Sequence, residues 1–305
     1  MSERVVRASA PGKINVSMHV GPLRDDGYHG VATVYQAVSL IEELTATEAD
    51  EISVSFSGPI DTSNIPLGES NLAVRAARAV AAEAGITAGA RLEIVKNVPI
   101  AGGMGGGSAD AAAALVAVDA LWETNLGSAT LYRLAAELGA DVPFALHGGT
   151  AIGLGRGDIL TPVLTQGHFE WVLVPNDGGL STPEVFRHLD RLRDEDPELG
   201  ADVSDHPQVE NELLHALRNG DARALAQSIH SDLQEPALCL KPELADVLAF
   251  GESNGALAGI VSGSGPTLAF LAEDDSAALA LVAAFRNKNQ VAIRALAPVR
   301  GATVH

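Results

Sequence analysis

The chain has 305 residues, 47% hydrophobic and 19% charged, with 39 acidic against 20 basic side chains and a formal net charge of −19. That balance speaks against nucleic-acid and anionic-membrane partners, which need their phosphates neutralised by Lys and Arg. A phosphate site here has to be built locally, from backbone N–H groups and a few placed cations. The length suits two domains of ordinary size.

Cys239 is the single cysteine, so no intramolecular disulfide forms, which fits a reducing compartment. The N-terminus carries no apolar signal core, and no apolar run reaches the roughly 18 residues of a membrane span. The expectation is a cytoplasmic protein, monomer or homodimer.

In chain order, residues 5–8 and 14–20 read as strands on either side of an Ala10-Pro11-Gly12 corner, with period-two alternation in the second. Residues 31–40 and 52–56 are strand-like, and 61–68 form a loop. Residues 71–84 carry a helical face through Leu72, Ala76, Ala79 and Val80, with Ser70 at the N-cap and Gly85 at the C-terminal stop. A strand at 92–95 leads into a glycine-rich stretch and a helix over 109–122.

A helix over 131–138 ends at Gly139, and 151–157 is a glycine-broken strand and turn. A strand at 170–174 follows. The acidic segment 194–207 reads as a surface loop. Helical stretches cover 208–218, 221–234 and 242–254; then come a second glycine-rich turn at 259–266, a strand at 267–271, a helix at 276–285 and a strand at 291–296. Strands and helices mix without regular βαβ alternation, so the fold class is α+β. The expected domains are 1–160 and 161–305.

Gly102, Gly103, Met104, Gly105, Gly106, Gly107 and Ser108 stand between a strand and an alanine-rich helix. Without Cβ atoms the backbone turns sharply and comes close to a ligand. Its N–H groups converge where the positive end of the helix dipole points, which makes a phosphate cradle. Ser108 either caps the helix or turns its hydroxyl toward a phosphate or Mg²⁺. The P-loop pattern is absent: the Gly12-Lys13 pair is followed by Ile14.

The run from Pro99 through Ala101 to Ala109 and beyond (PIAGGMGGGSADAA) resembles the second motif of the GHMP kinases, the family of galactokinase, homoserine kinase and mevalonate kinase. Residues 10–15 (APGKIN) resemble its first motif and residues 261–267 (VSGSGPT) its third. The three occur in order and cover nearly the whole chain. The resemblance implies the two-domain GHMP kinase fold, an active site in the interdomain cleft, and ATP with Mg²⁺ as co-substrate and counterion. No dedicated metal ligand set is visible; Ser108 is the candidate oxygen.

Residues 24–29 (RDDGYH), 139–144 (GADVPF) and 182–186 (TPEVF) resemble the branch of that family whose alcohol substrate carries a cytidine diphosphate, in the non-mevalonate route to isoprenoids. Carried over, Asp141 and Lys13 are the catalytic pair. Their chemistry agrees: a carboxylate can take up or orient the alcohol proton, and a cation beside it stabilises the charge. Whether Asp141 acts as full base or as orienting group stays open here.

The resemblance further implies that Tyr28 and Phe186 sandwich the cytosine, that His29 hydrogen-bonds it, and that Asn15, Thr182 and Pro183 lie on the substrate side. Lys96 and Asn71 lie on the adenosine side. A kinase for homoserine or mevalonate is the alternative; such substrates bring no base for an aromatic pair to stack on.

Overall fold

In a computed structural model, the structure describes residues 4–196, 199 and 203–305. Its frame is a long antiparallel ribbon of β1 (Val5–Leu23) and β2 (His29–Ala49), paired from Val5 with Thr47 to Leu23 with His29. No break occurs at residues 10–12, where the sequence pattern suggests one. The register shifts between Pro11 and Gly12 instead. A bulge absorbs the N–H that proline lacks, and the strand continues.

The ribbon is long enough for β2 to serve two partners. Its first half pairs with β5 (Thr150–Gly155), which pairs in turn with β6 (Ile159–Pro162). Its second half pairs with β4 (Gly89–Val95), which runs parallel to β3 (Ser53–Ser57). The crossover between those two strands carries α1 (Leu72–Ala84). Asn71, rather than Ser70, caps α1: its Oδ1 accepts from the Ala73 and Val74 N–H groups, and Gly85 closes the helix in the left-handed conformation at φ 66.

Helix α2 (Gly106–Leu121) is buried along most of its length. Its alanine run, 111–114, lets it lie close against α1 and the sheet in one apolar core shared with α3 (Ser128–Leu138) and α4 (Val142–His147). It begins three residues earlier than the glycine pattern suggests, because Gly105 supplies a left-handed N-cap at φ 68.

A second, antiparallel sheet has the order β11 (Ile293–Ala297), β7 (Phe169–Val174), β10 (Leu268–Ala272), β9 (Ala258–Val261). Its strands alternate as a two-sided buried sheet must. Phe169, Trp171 and Leu173 face the ribbon, against Ile14, Val16, Val34 and Val38. Val172, Val174, Leu268 and Phe270 face the other way. That second face is covered by α5 (Thr182–Glu195), α8 (Gln234–Leu240), α9 (Glu243–Ser253) and α10 (Asp275–Asn287).

Between α5 and α8 lie α6 (Asn211–Asn219), α7 (Ala222–Ala226) and the two-residue strand β8 (His230–Ser231). The stretch 221–234 is therefore not one helix: β8 pairs in parallel with β1. Helix α5 runs to Glu195, so the acidic segment that starts at 194 begins inside a helix; part of it lies outside the described residues. The last strand, β12 (Thr303–Val304), returns to pair with Ala8 and Ser9 of β1. Among the described residues, no helix is long and apolar enough to cross a membrane.

Candidate active site

The glycine loop joins β4 to α2, with Gly103 and Gly105 at φ 76 and 68. No side chain caps α2. The N–H groups of Gly106, Gly107 and Ser108 have no partner within the helix, and they carry the positive end of its dipole. They border a cavity of about 360 Å³, also lined by Asn71, Lys96, Pro99, Ala101, Gly102, Gly103 and Gly105. Met104 and Ala109 turn the other way, into the core. Met104 contributes its carbonyl, which accepts the Lys13 backbone N–H at 2.9 Å.

The turn after β9 holds this loop in place. Ser262 Oγ donates to Gly103 O at 3.2 Å, and the Thr267 N–H donates to Gly102 O at 3.3 Å. A Cβ on Gly103 would lie 2.0 Å from Ser262 O. Glycine is required there twice over, by the positive φ and by the close approach.

Lys13 and Asp141 meet at the inner end of the loop, with Nζ 3.7 Å from Oδ2. Lys13 is buried and anchored: Nζ donates to Asn15 Oδ1 at 2.8 Å, Asn15 Nδ2 donates to Thr33 Oγ1 at 2.7 Å, and Thr33 donates to the Ser17 carbonyl at 2.6 Å. Asp141 occupies the N-cap position of α4, yet its side chain caps nothing and remains about one-third exposed. The Tyr35 hydroxyl is its neighbour; burial first, and the Asp141 carboxylate second, push that phenol well above its ordinary range, so it stays protonated as a donor.

The two are bracketed by backbone. A Cβ on Gly105 would lie 3.3 Å from Lys13 Cγ and 3.7 Å from Asp141 Oδ2, and one on Gly263 would lie 3.4 Å from Lys13 Nζ. Gly105 also lines the first cavity, and Ala140, next to Asp141, lines a second one. The Lys13–Asp141 pair therefore adjoins one lining residue of each cavity, Gly105 of the first and Ala140 of the second.

Lys96 lies beneath the loop rather than at its surface. Its ammonium, 1% exposed, donates to Glu42 Oε1 at 2.5 Å and to both Asp110 oxygens at 3.1 and 2.9 Å. Glu42 also accepts the Asn97 and Val98 N–H groups. Burial, then Asp110, raise the Glu42 carboxyl to about 7 against the pull of Lys96; burial raises Asp110 too. A Cβ on Gly106 would lie 3.3 Å from both Glu42 Oε1 and Lys96 Nζ. This triad props the first turn of α2. Asn71 is likewise committed, as the cap of α1, while still lining the cavity.

The second cavity, about 780 Å³, is lined by Tyr28, His29, Thr182, Pro183 and Phe186, together with Arg156, Arg187 and Asp190. Helix α5 presents residues 182, 183, 186, 187 and 190 on one face, the spacing of a helix that walls a site. His29 Nε2 lies 2.8 Å from Asp190 Oδ1, and its ring packs on Phe186 at 5.1 Å. Tyr28 is 55% exposed, with the Arg156 guanidinium 5.6 Å from its ring centroid. Thr182 Oγ1 shares a 2.8 Å hydrogen bond with Ser264 Oγ of the third motif.

Sequence reasoning missed Tyr35, Glu42, Asp110, Arg156, Arg187 and Asp190. The α5 face could have supplied Arg187 and Asp190 by helical spacing. Nothing local marks Glu42 as the partner of Lys96, 54 residues away.

Comparisons with known proteins agree with this geometry. Residues 71–149 match the GHMP kinases N terminal domain and residues 213–291 the GHMP kinases C terminal domain. Curated proteins from Clavibacter michiganensis subsp. michiganensis and Leifsonia xyli subsp. xyli, both named 4-diphosphocytidyl-2-C-methyl-D-erythritol kinase, are each 57% identical over 300 residues. Those alignments cover 98% of this chain and 96% and 98% of the two proteins. A crystal structure of 4-(cytidine 5'-diphospho)-2C-methyl-D-erythritol kinase superposes with TM-score 0.76 at 31% identity, over 98% of this chain and all of that one. A mevalonate kinase from L. major, at TM-score 0.75 and 17% identity, shares the fold. The chain belongs to the GHMP kinase family, in the group of the 4-diphosphocytidyl-2-C-methyl-D-erythritol kinases.

Proposed function

We propose that the chain transfers the γ-phosphoryl group of ATP to the 2-hydroxyl of 4-diphosphocytidyl-2-C-methyl-D-erythritol, giving the 2-phosphate and ADP in the methylerythritol phosphate route to isoprenoid precursors. The observation that carries this reading is the Lys13–Asp141 ion pair, which has Gly105 of a backbone-lined cavity against it and Ala140 of an aromatic-walled cavity next to it in the chain. We place the protein in the cytoplasm on the same reading.

In the first cavity, the N–H groups of Gly106, Gly107 and Ser108 receive phosphate oxygens, and Pro99, Ala101 and Asn71 wall the nucleoside side. Lys96 stays with Glu42 and Asp110 and acts on the nucleotide only by holding Gly106 in place. For Mg²⁺, Ser108 offers the protein oxygen, since both Asp110 oxygens already accept from Lys96. Bound there, the ion would neutralise charge on the transferring group and keep several waters.

In the second cavity, Tyr28 and Phe186 hold the cytosine between their faces. His29, steadied by Asp190, meets the base edge. Arg156 and Arg187 stand ready for the diphosphate. Asp141 takes the proton of the 2-hydroxyl as its oxygen forms the bond to phosphorus and the bond to the ADP oxygen breaks. Lys13 offsets the negative charge that builds on that oxygen.

The test is Asp141→Asn. It keeps the side-chain shape and removes the proton acceptor. Turnover should fall by about 10²–10⁴-fold, with ATP affinity by calorimetry unchanged. Turnover near the wild-type rate would remove Asp141 from the chemistry.

A further inference from the structure

We infer that His19, His230 and Asp232 form a binding site for one divalent transition ion of the Zn²⁺ class, apart from the catalytic cleft. The three come together through β8. Its parallel pairing sets Ser17 opposite His230 and Met18 opposite Ser231. The Asp232 N–H then donates to the Met18 carbonyl at 2.9 Å. As a result, one ligand atom from each of the three side chains lies within 4.8 Å of the others.

Each donor is held by its surroundings. The imidazoles of His19 and His230 stack at 4.9 Å with their planes 20° apart. Asp232 Oδ2 is fixed by the Val20 N–H at 2.7 Å and by Arg193 Nη2 at 3.1 Å. That leaves Oδ1 to face His230 Nε2, at 2.7 Å. His19 Nε2 is the telling atom. It is buried and makes no hydrogen bond, with Glu210 Oε1 2.9 Å away as an ion-pair contact. A buried nitrogen that makes no hydrogen bond is costly, and a metal ion would give it a bond that the Glu210 contact does not.

Two imidazoles with one carboxylate suit Zn²⁺, Co²⁺ or Ni²⁺ better than Mg²⁺ or Ca²⁺, which prefer oxygen alone. The Arg193 bond to Asp232 supplies the outer support that oriented metal ligands use. An opening of about 280 Å³ beside His19 and Asp232 gives the ion a way in. Nothing in this cluster lines either cavity of the active site. Its role is structural: the ion clamps β8 onto β1. Through Asp232 and Arg193, which also donates to the Val20 and Gly21 carbonyls, it steadies the last turn of α5, the helix that walls the second cavity.

The test uses full-length protein without a histidine tag, dialysed against chelator and titrated with ZnCl₂ by calorimetry. Co²⁺ serves as an absorbance probe of nitrogen and oxygen ligation. Wild type should take up one equivalent and melt at a higher temperature with Zn²⁺ than without. His230→Ala, at a half-exposed side chain, should weaken uptake by at least about 10–100-fold and lose the thermal shift. Its metal-free melting temperature and its turnover with Mg-ATP should match wild type. No Zn²⁺ uptake by wild type would overturn the inference, and so would uptake that His230→Ala leaves unchanged.

Discussion

Replacing Lys96 with methionine keeps a long apolar stem in place and removes the ammonium that Glu42 and Asp110 share. In the wild type that nitrogen donates to three carboxylate oxygens within 3.1 Å, in a setting that water does not reach. Removing one partner of a buried pair costs about 3–5 kcal/mol, because the remaining charge is left uncompensated. At pH 8 this should lower the melting temperature by on the order of 10 °C.

The sign of the pH dependence follows from Glu42. Its carboxyl is raised from 4.5 to about 7 in the folded protein. Between those values the folded state holds a proton that the unfolded state has lost. Wild-type stability therefore falls as pH climbs through that window, by roughly 3 kcal/mol. Without Lys96 both carboxyls hold their protons still more tightly, so the deficit of Lys96→Met should be largest at pH 8 and should shrink toward pH 5. Thermal melts of both proteins across that range decide it. A deficit independent of pH, or one that grows in acid, would refute the triad as the source of the stability.

Gly103→Ala places a methyl 2.0 Å from Ser262 O and holds alanine at φ 76. The left-handed conformation alone costs about 1–2 kcal/mol, and the turn after β9 must also retreat from the loop. kcat/KM should drop by at least about tenfold for each 1.4 kcal/mol of lost transition-state binding, with the circular dichroism spectrum unchanged; wild-type kcat/KM would mean the docking of that turn does not matter. Phe186→Ala should raise KM for the cytidyl substrate by roughly five- to 150-fold, the 1–3 kcal/mol that base stacking contributes, and leave KM for ATP alone. Equal changes in both would assign Phe186 to the core packing it also joins.

The three glycine-bearing motifs could be read from the sequence because their chemistry is local. A run of glycines next to a helix start suggests a phosphate cradle without help from the rest of the fold. That the turn at 262–266 docks on Gly102 and Gly103, some 160 residues earlier, has no local mark. The meeting of Lys13 with Asp141 likewise depends on tertiary packing, and only family likeness pointed to it.

Lys96 shows the other limit. The family resemblance puts Lys96 on the adenosine side, and only the fold brings Glu42 and Asp110 to it and buries all three. Strand β1 was misread at residues 10–12 because proline breaks an isolated strand, whereas a bulge with Leu40 and Val98 packed about Gly12 carries this one through. The segment 221–234 has helical composition throughout, but the edge of β1 claims two of its residues as β8.

On the proposed function, the two cavities serve ATP and a cytidine-diphosphate alcohol, with Lys13 and Asp141 between them. The most direct measurement is ADP release, coupled to an indicator reaction, with 4-diphosphocytidyl-2-C-methyl-D-erythritol, homoserine, mevalonate or galactose offered separately as the alcohol. ADP release is expected with the cytidyl substrate alone. Turnover of any of the other three, with none of the first, would contradict it.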